Sequence, residues 1–136
     1  MKKVLMVLAL LGTMLSAPAF AGNNDPLFVN LTSDDEHRAT MALGFSKAQL
    51  DRGHPVTIWL NDKGVFLVSK SHAEKYASEQ KAIQELLAKG ATVITCPMCM
   101  KHFGISEADL LEGAKVGNPD MTGAALFADG AKALSW

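Results

Sequence analysis

Two cysteines in 136 residues are too few to build a disulfide framework, so the pair must be judged as a site. No block of like charge stands out, which argues against nucleic acid or an anionic membrane surface as partner. No later apolar run reads as a stop-transfer segment, and there is no internal repeat, low-complexity tract or linker. These absences leave one small domain.

What is present starts with Lys2 and Lys3, a short positive head. Val4 to Leu15 follows as an apolar run broken only by Gly12 and Thr13, and Ala19-Phe20-Ala21 supplies small residues where a signal peptidase reads. The pattern predicts a secretory signal peptide over residues 1–21 and a mature domain over 22–136. A membrane anchor needs about 20 apolar residues, more than this run offers. The periplasm is the expected location, with no membrane attachment after cleavage. Without Lys2 and Lys3, 11 of the 13 basic residues remain against 14 acidic ones, a formal charge of −3.

Apolar runs and turn signals alternate along the rest. Leu27–Leu31 and Val56–Leu60 read as buried strands, and Ala91–Thr95 as a β-branched one. Ser33 with Glu36, and Ser71 with Glu74, have capping-box spacing. They predict helices running to about Arg52 and Lys89, stopped by Gly53 and Gly90. Val65–Val68 is an apolar run too short to place. Ser106–Gly113 reads as a short helix, Asn118-Pro119 as the opening of another through about Ala128, and Lys132–Trp136 as a last strand. Strands alternating with helices predict α/β architecture: one mostly parallel sheet of about five strands, with helices on both faces.

Cys96-Pro97-Met98-Cys99 then falls at the carboxyl end of a strand, where such folds gather their sites and a helix start favours thiolate. An inert disulfide closing so small a loop brings little chain-entropy benefit. In an oxidising compartment the pair nevertheless rests as a disulfide unless a reductant keeps it open. Thioredoxin-like proteins place Cys-Pro-x-Cys after an earlier strand. Covalent haem needs histidine where Met100 stands. Cys96, Cys99 and His102, with Met98 and Met100 as thioether donors, make a set better suited to Cu(I) than to zinc. Redox or sulfur chemistry, soft-metal binding and a structural disulfide all remain open at this point. Lys101 and His102 are the nearest groups able to stabilise a thiolate, His102 being the better acid or base by its ordinary pKa. His37 and His54 carry less weight, His54 as a structural residue before Pro55. His72 is a minor candidate behind a helix cap. Asp62, at a strand's carboxyl end, reads as a turn residue with a pocket-facing place as the alternative, and Trp59 as packing with an interface as the alternative.

Cys96 to Ile105, CPMCMKHFGI, followed by Ser-x-x-Asp-Leu-Leu-x-Gly over Ser106–Gly113, resembles the DsrE/DsrF-like family of small α/β sulfur-relay proteins. The likeness runs from about Leu27 to Trp136. It implies that Cys96 accepts sulfur as a persulfide, with Cys99 as resolving thiol. It also implies a carrier with sulfurtransferase-like chemistry and no cofactor. Sulfur donor and acceptor proteins or small sulfur compounds would be its partners, and trimers or hexamers its assembly. Phe103 stands where family members often carry a basic residue.

Overall fold

A computed structural model describes residues 24–136, so the expected signal peptide lies outside the described residues. Five strands form one sheet: β1 (Leu27–Leu31), β2 (Val56–Leu60), β3 (Thr92–Thr95), β4 (Lys115–Val116) and β5 (Lys132–Ser135). Their spatial order is β4-β3-β2-β1-β5, and every pairing is parallel. The helices are α1 (Glu36–Leu50), α2 (Ala77–Ala88), α3 (Pro97–Phe103) and α4 (Pro119–Leu126), and 3₁₀ turns occupy Asp62–Val68, Lys70–His72 and Glu107–Asp109.

The path from β1 to β4 steps in one direction across the sheet, whereas β4 to β5 steps back. Right-handed crossovers therefore put α1 and α2 on one face and α4 on the other. The α1/α2 face holds the core: Val29, Leu31, Ile58, Leu60 and Val93 are all fully buried. Each such side chain contributes about 1.5–3 kcal/mol of transfer free energy. The alternate positions Phe28, Asn30, Thr57, Trp59, Thr92 and Ile94 face α4.

Several helix boundaries differ from the sequence expectation. Asp35, not Ser33, caps α1 by accepting from Arg38 N–H at 3.0 Å, while Ser33 Oγ accepts from Asp35 N–H. Helix α2 begins only at Ala77, because Ser71 is committed elsewhere: its N–H and hydroxyl both donate to Asp109, at 2.9 and 2.7 Å. The helix expected over Ser106–Gly113 reduces to one 3₁₀ turn, since Leu110 bridges Ser69 and Leu111 N–H donates to Val68 O at 2.9 Å. Two long-range backbone contacts outweigh local helical preference there. The unplaced run Val65–Val68 lies in a 3₁₀ helix with Val65, Leu67 and Val68 fully buried. The two-residue strand β4 carried no sequence signal.

Gly64 and Gly117 set two close approaches. A Cβ at Gly64 collides with the carbonyl oxygen of Leu31, and one at Gly117 collides with Ile94. The first seats the Asp62–Val68 turn on β1, and the second presses the β4–α4 connection onto β3. Both turns border the cysteines.

Candidate functional site

Cys96 ends β3 and caps α3, with Pro97 at the first helical position, where its missing N–H costs nothing. Its Sγ accepts from Cys99 N–H at 3.3 Å. Asn118-Pro119 repeats the construction at the start of α4, where Asn118 Oδ1 accepts from Met121 N–H at 2.9 Å. Two helices thus begin with a cap and a proline at the carboxyl edge of the sheet, and residues from both starts line one cleft.

Both cysteines are free thiols, and their sulfurs stand 2.7 Å apart. A disulfide of about 2.05 Å needs little further movement. Cys96 is buried and Cys99 half-buried. Burial, and then the hydrogen bond to Cys96, push the Cys99 thiol above its ordinary value of 9.0, against the opposing pull of Asp62 N–H. The S–H of Cys99 points to Cys96 Sγ. The Asp62 N–H reaches Cys99 Sγ at 3.1 Å. Asp62 adopts φ 47°, the left-handed region that Asp tolerates better than most side chains.

Trp59, Pro97, Met98, Pro119 and Thr122 wall a cleft of about 340 Å³ that opens on Cys96, with Gly117-Asn118 beside them. The indole N–H of Trp59 is buried and has no hydrogen-bond partner among the described residues. Lys101 and His102 are exposed on α3 and do not line this cleft. His102 instead begins a row of rings, His102–Phe103–Phe66–His72, each pair 4.7 Å apart between centroids. Phe103, the departure from the family pattern, is the packing element of that row.

His72 belongs to a separate polar knot. Its Nδ1 lies 2.8 Å from the buried Ser69 hydroxyl, which in turn contacts Asp109. Because the Asp109 carboxylate can only accept, Ser69 donates to it and must accept from Nδ1–H, which fixes the tautomer. Burial pushes the Asp109 carboxyl up, but hydrogen bonds from Ser69 and Ser71 and the charge of His72 outweigh it and hold it below 3.8. The knot ties the segment before α2 to the segment after α3. His54 accepts a structural role, its Nδ1 lying 2.8 Å from Asp25 O, and His37 is exposed at the start of α1.

Among the described residues, no group of three or more His, Cys, Asp or Glu side chains gathers to hold a metal ion. Cys96, Cys99 and His102 do not form such a set. Met98 is 78% exposed and Met100 is buried in the core, so the two thioethers do not converge either.

The thiols stand at the strand end that the sequence predicts. The alternatives of a pocket-facing Asp62 and a surface-lining Trp59 are the ones that bring both residues to the cysteines. The sequence did not bring the start of α4 there. The cap-proline signal recurring at Asn118-Pro119, also just after a strand, was the available clue.

These features define a small parallel α/β protein with a dithiol at the carboxyl end of its third strand. The model of the DsrE/DsrF-like family matches residues 27–131, and the chain belongs to that family. It is 33% identical over 82 residues to the uncharacterised protein MK0008 of Methanopyrus kandleri, covering 60% of this chain and 68% of that protein. It is 39% identical over 85 residues to the uncharacterised protein MJ0989 of Methanocaldococcus jannaschii, covering 60% and 72%. Among solved structures, MTH1491 of Methanobacterium thermoautotrophicum, a protein of unknown function, superposes with TM-score 0.68 at 16% identity, over 83% of this chain and 100% of that one. The ychN protein from E. coli gives 0.60 at 15%, over 83% and 99%. These two likenesses show the fold.

Proposed function

We propose that this protein is a periplasmic sulfur carrier or thiol-redox protein working through Cys96, with Cys99 as its resolving thiol. The observation that carries the reading is the pair of free sulfurs 2.7 Å apart at the mouth of a cleft, one buried and capping a helix, the other half-buried against it. Family membership makes sulfur relay the natural chemistry for such a pair. The periplasmic assignment rests on the signal pattern of residues 1–21 alone.

Cys96 thiolate attacks a sulfane sulfur, forming Cys96–S–SH as the donor's S–S bond breaks and its thiolate leaves with the electron pair. The Cys99 thiol supplies the proton that the leaving group needs. If no acceptor arrives, Cys99 thiolate attacks the Cys96 sulfur, expels HS⁻ and closes the disulfide. An external thiol then restores the dithiol. Lys101 and His102, exposed on α3, are assigned to meeting the partner protein rather than to the cleft. Exposed Leu126, Phe127 and Leu134 along the α4–β5 edge favour burial between copies of the chain, in a trimer or hexamer.

Intact mass after reduction and incubation with inorganic polysulfide tests the reading. Cys99→Ser is expected to gain one sulfur atom that Cys96→Ser does not gain. Uptake by neither the native chain nor Cys99→Ser overturns it.

A further inference from the structure

The cleft beside Cys96 is mostly apolar, walled by Trp59, Pro97, Met98 and Pro119, with Asn118 and Thr122 as its uncharged polar members. Among the described residues no charged side chain lines it. The two helix starts that border it have little to offer an anion. Pro97 and Pro119 have no N–H, Cys99 N–H is taken by Cys96 Sγ, and Met121 N–H is taken by Asn118 Oδ1. The charges on these elements do not supply a partner either: Lys101 on α3 is exposed and does not line the cleft, and Asp120 in the first turn of α4 is acidic. An inorganic anion entering here sheds its hydration and meets only neutral donors such as the Trp59 indole N–H, with no opposite charge to offset the cost. An apolar body instead gains about 25 cal/mol for each Å² it buries. At about 340 Å³ the space lies in the range of small-ligand pockets, about 300–1,000 Å³.

From this lining we infer that the cleft selects uncharged polysulfanes, short sulfur chains with apolar ends, over anionic donors such as thiosulfate, with Trp59 as a specificity-determining wall. The inference rests on the sulfur-carrier reading and names its donor class. The step is Cys96–S⁻ attacking the central sulfur of R–S–S–S–R. A bond forms from Cys96 to that sulfur, one donor S–S bond breaks, and RS⁻ leaves with the electron pair and takes a proton from Cys99. A thiol of the acceptor then removes the remaining RS group as a disulfide, leaving Cys96–S–S⁻. No external oxidant is required.

The test measures loading rates of reduced Cys99→Ser with diallyl trisulfide and with thiosulfate by intact mass, each divided by the rate of glutathione with the same reagent. The normalised ratio is expected to favour the trisulfide by roughly tenfold or more, in line with discrimination by apolar pockets. Trp59→Ala in the Cys99→Ser chain should bring the ratio down toward that of glutathione. Thr122→Lys, at a half-exposed position on α4 where a lysine is readily accommodated, should bring it down by speeding thiosulfate. A ratio equal to that of glutathione in the parent chain, or one that neither substitution moves, overturns the donor assignment while sulfur carriage stands. Loading by neither reagent nor by inorganic polysulfide removes sulfur carriage itself, and the donor assignment with it.

Discussion

The two faces of the sheet are built to different standards. Toward α1 and α2, Leu31, Ile58, Leu60 and Val93 are fully buried, and helix packs on helix above them. Toward α4 only Phe28 and Ile94 are buried, Asn30, Thr57, Trp59 and Thr92 are half-buried, and α4 has no buried residue of its own. Phe127, just past that helix, is 81% exposed. Each face leaves one buried polar atom without a partner among the described residues, the Trp59 indole N–H toward α4 and the Thr95 hydroxyl toward the core, at about 1–3 kcal/mol each. One face supplies stability, and the other presents the cleft and the surface around Cys96.

If that division holds, substitutions on the two faces separate stability from reactivity. Ile58→Ala should cost about 2–5 kcal/mol in urea unfolding. Its rate of Cys96 loading should remain close to native under native conditions. An equal loss of loading would mean that the core face shapes the site as well.

The polar knot comes next. Asp109→Ala removes the acceptor of the fully buried Ser69 O–H, leaving it only His72, and is expected to cost about 1–3 kcal/mol, read from the same unfolding curves. The carboxyl is held below 3.8 in the fold, so the unfolded chain binds the proton more readily. Its contribution is therefore complete above 3.8 and is lost as the pH falls through the lower folded value. Native protein should show this acid loss, and Asp109→Ala should lack it.

Trp59→Phe, on the cleft face, forfeits no hydrogen bond and should change stability by less than about 0.5–1.5 kcal/mol, the range of conservative apolar exchanges. Its effect belongs in the loading ratio of the two donors, not in the melting curve. The smallest expected effect is alkaline. Cys99 has its thiol raised above 9.0 by burial, so the folded state holds that proton more tightly than the unfolded chain does. Stability then falls as the pH rises from about that value through the folded one, and Cys99→Ser should flatten the fall. A slope identical in both chains would place the alkaline sensitivity elsewhere.

Much of the fold was legible because parallel strands buried on both faces read as apolar, β-branched runs. Leu27–Leu31, Val56–Leu60 and Thr92–Thr95 were found on that signal. Helix starts were less legible. Ser33 and Ser71 have the chemistry of caps, but Asp35 does the capping in one case and Asp109 claims the serine in the other. No local pattern announces that a residue 38 positions away will take a cap's hydrogen bonds. The same limit hid the wall opposite Cys96, since Trp59 and Thr122 reach it only through the order of the strands.

The sequence alone determined the thiol pair, its place after a β-branched strand, and the family whose motif it carries. Those features are local, written in consecutive residues whose spacing and side-chain chemistry are sufficient. Only the tertiary structure set the two thiols in different surroundings, Cys96 buried and Cys99 half-buried with Asp62 N–H aimed at its sulfur. It also decided that a mostly apolar cleft, rather than Lys101 or His102, faces Cys96. Burial and long-range pairing come from strands folded side by side, and that proximity is absent from the order of residues along the chain.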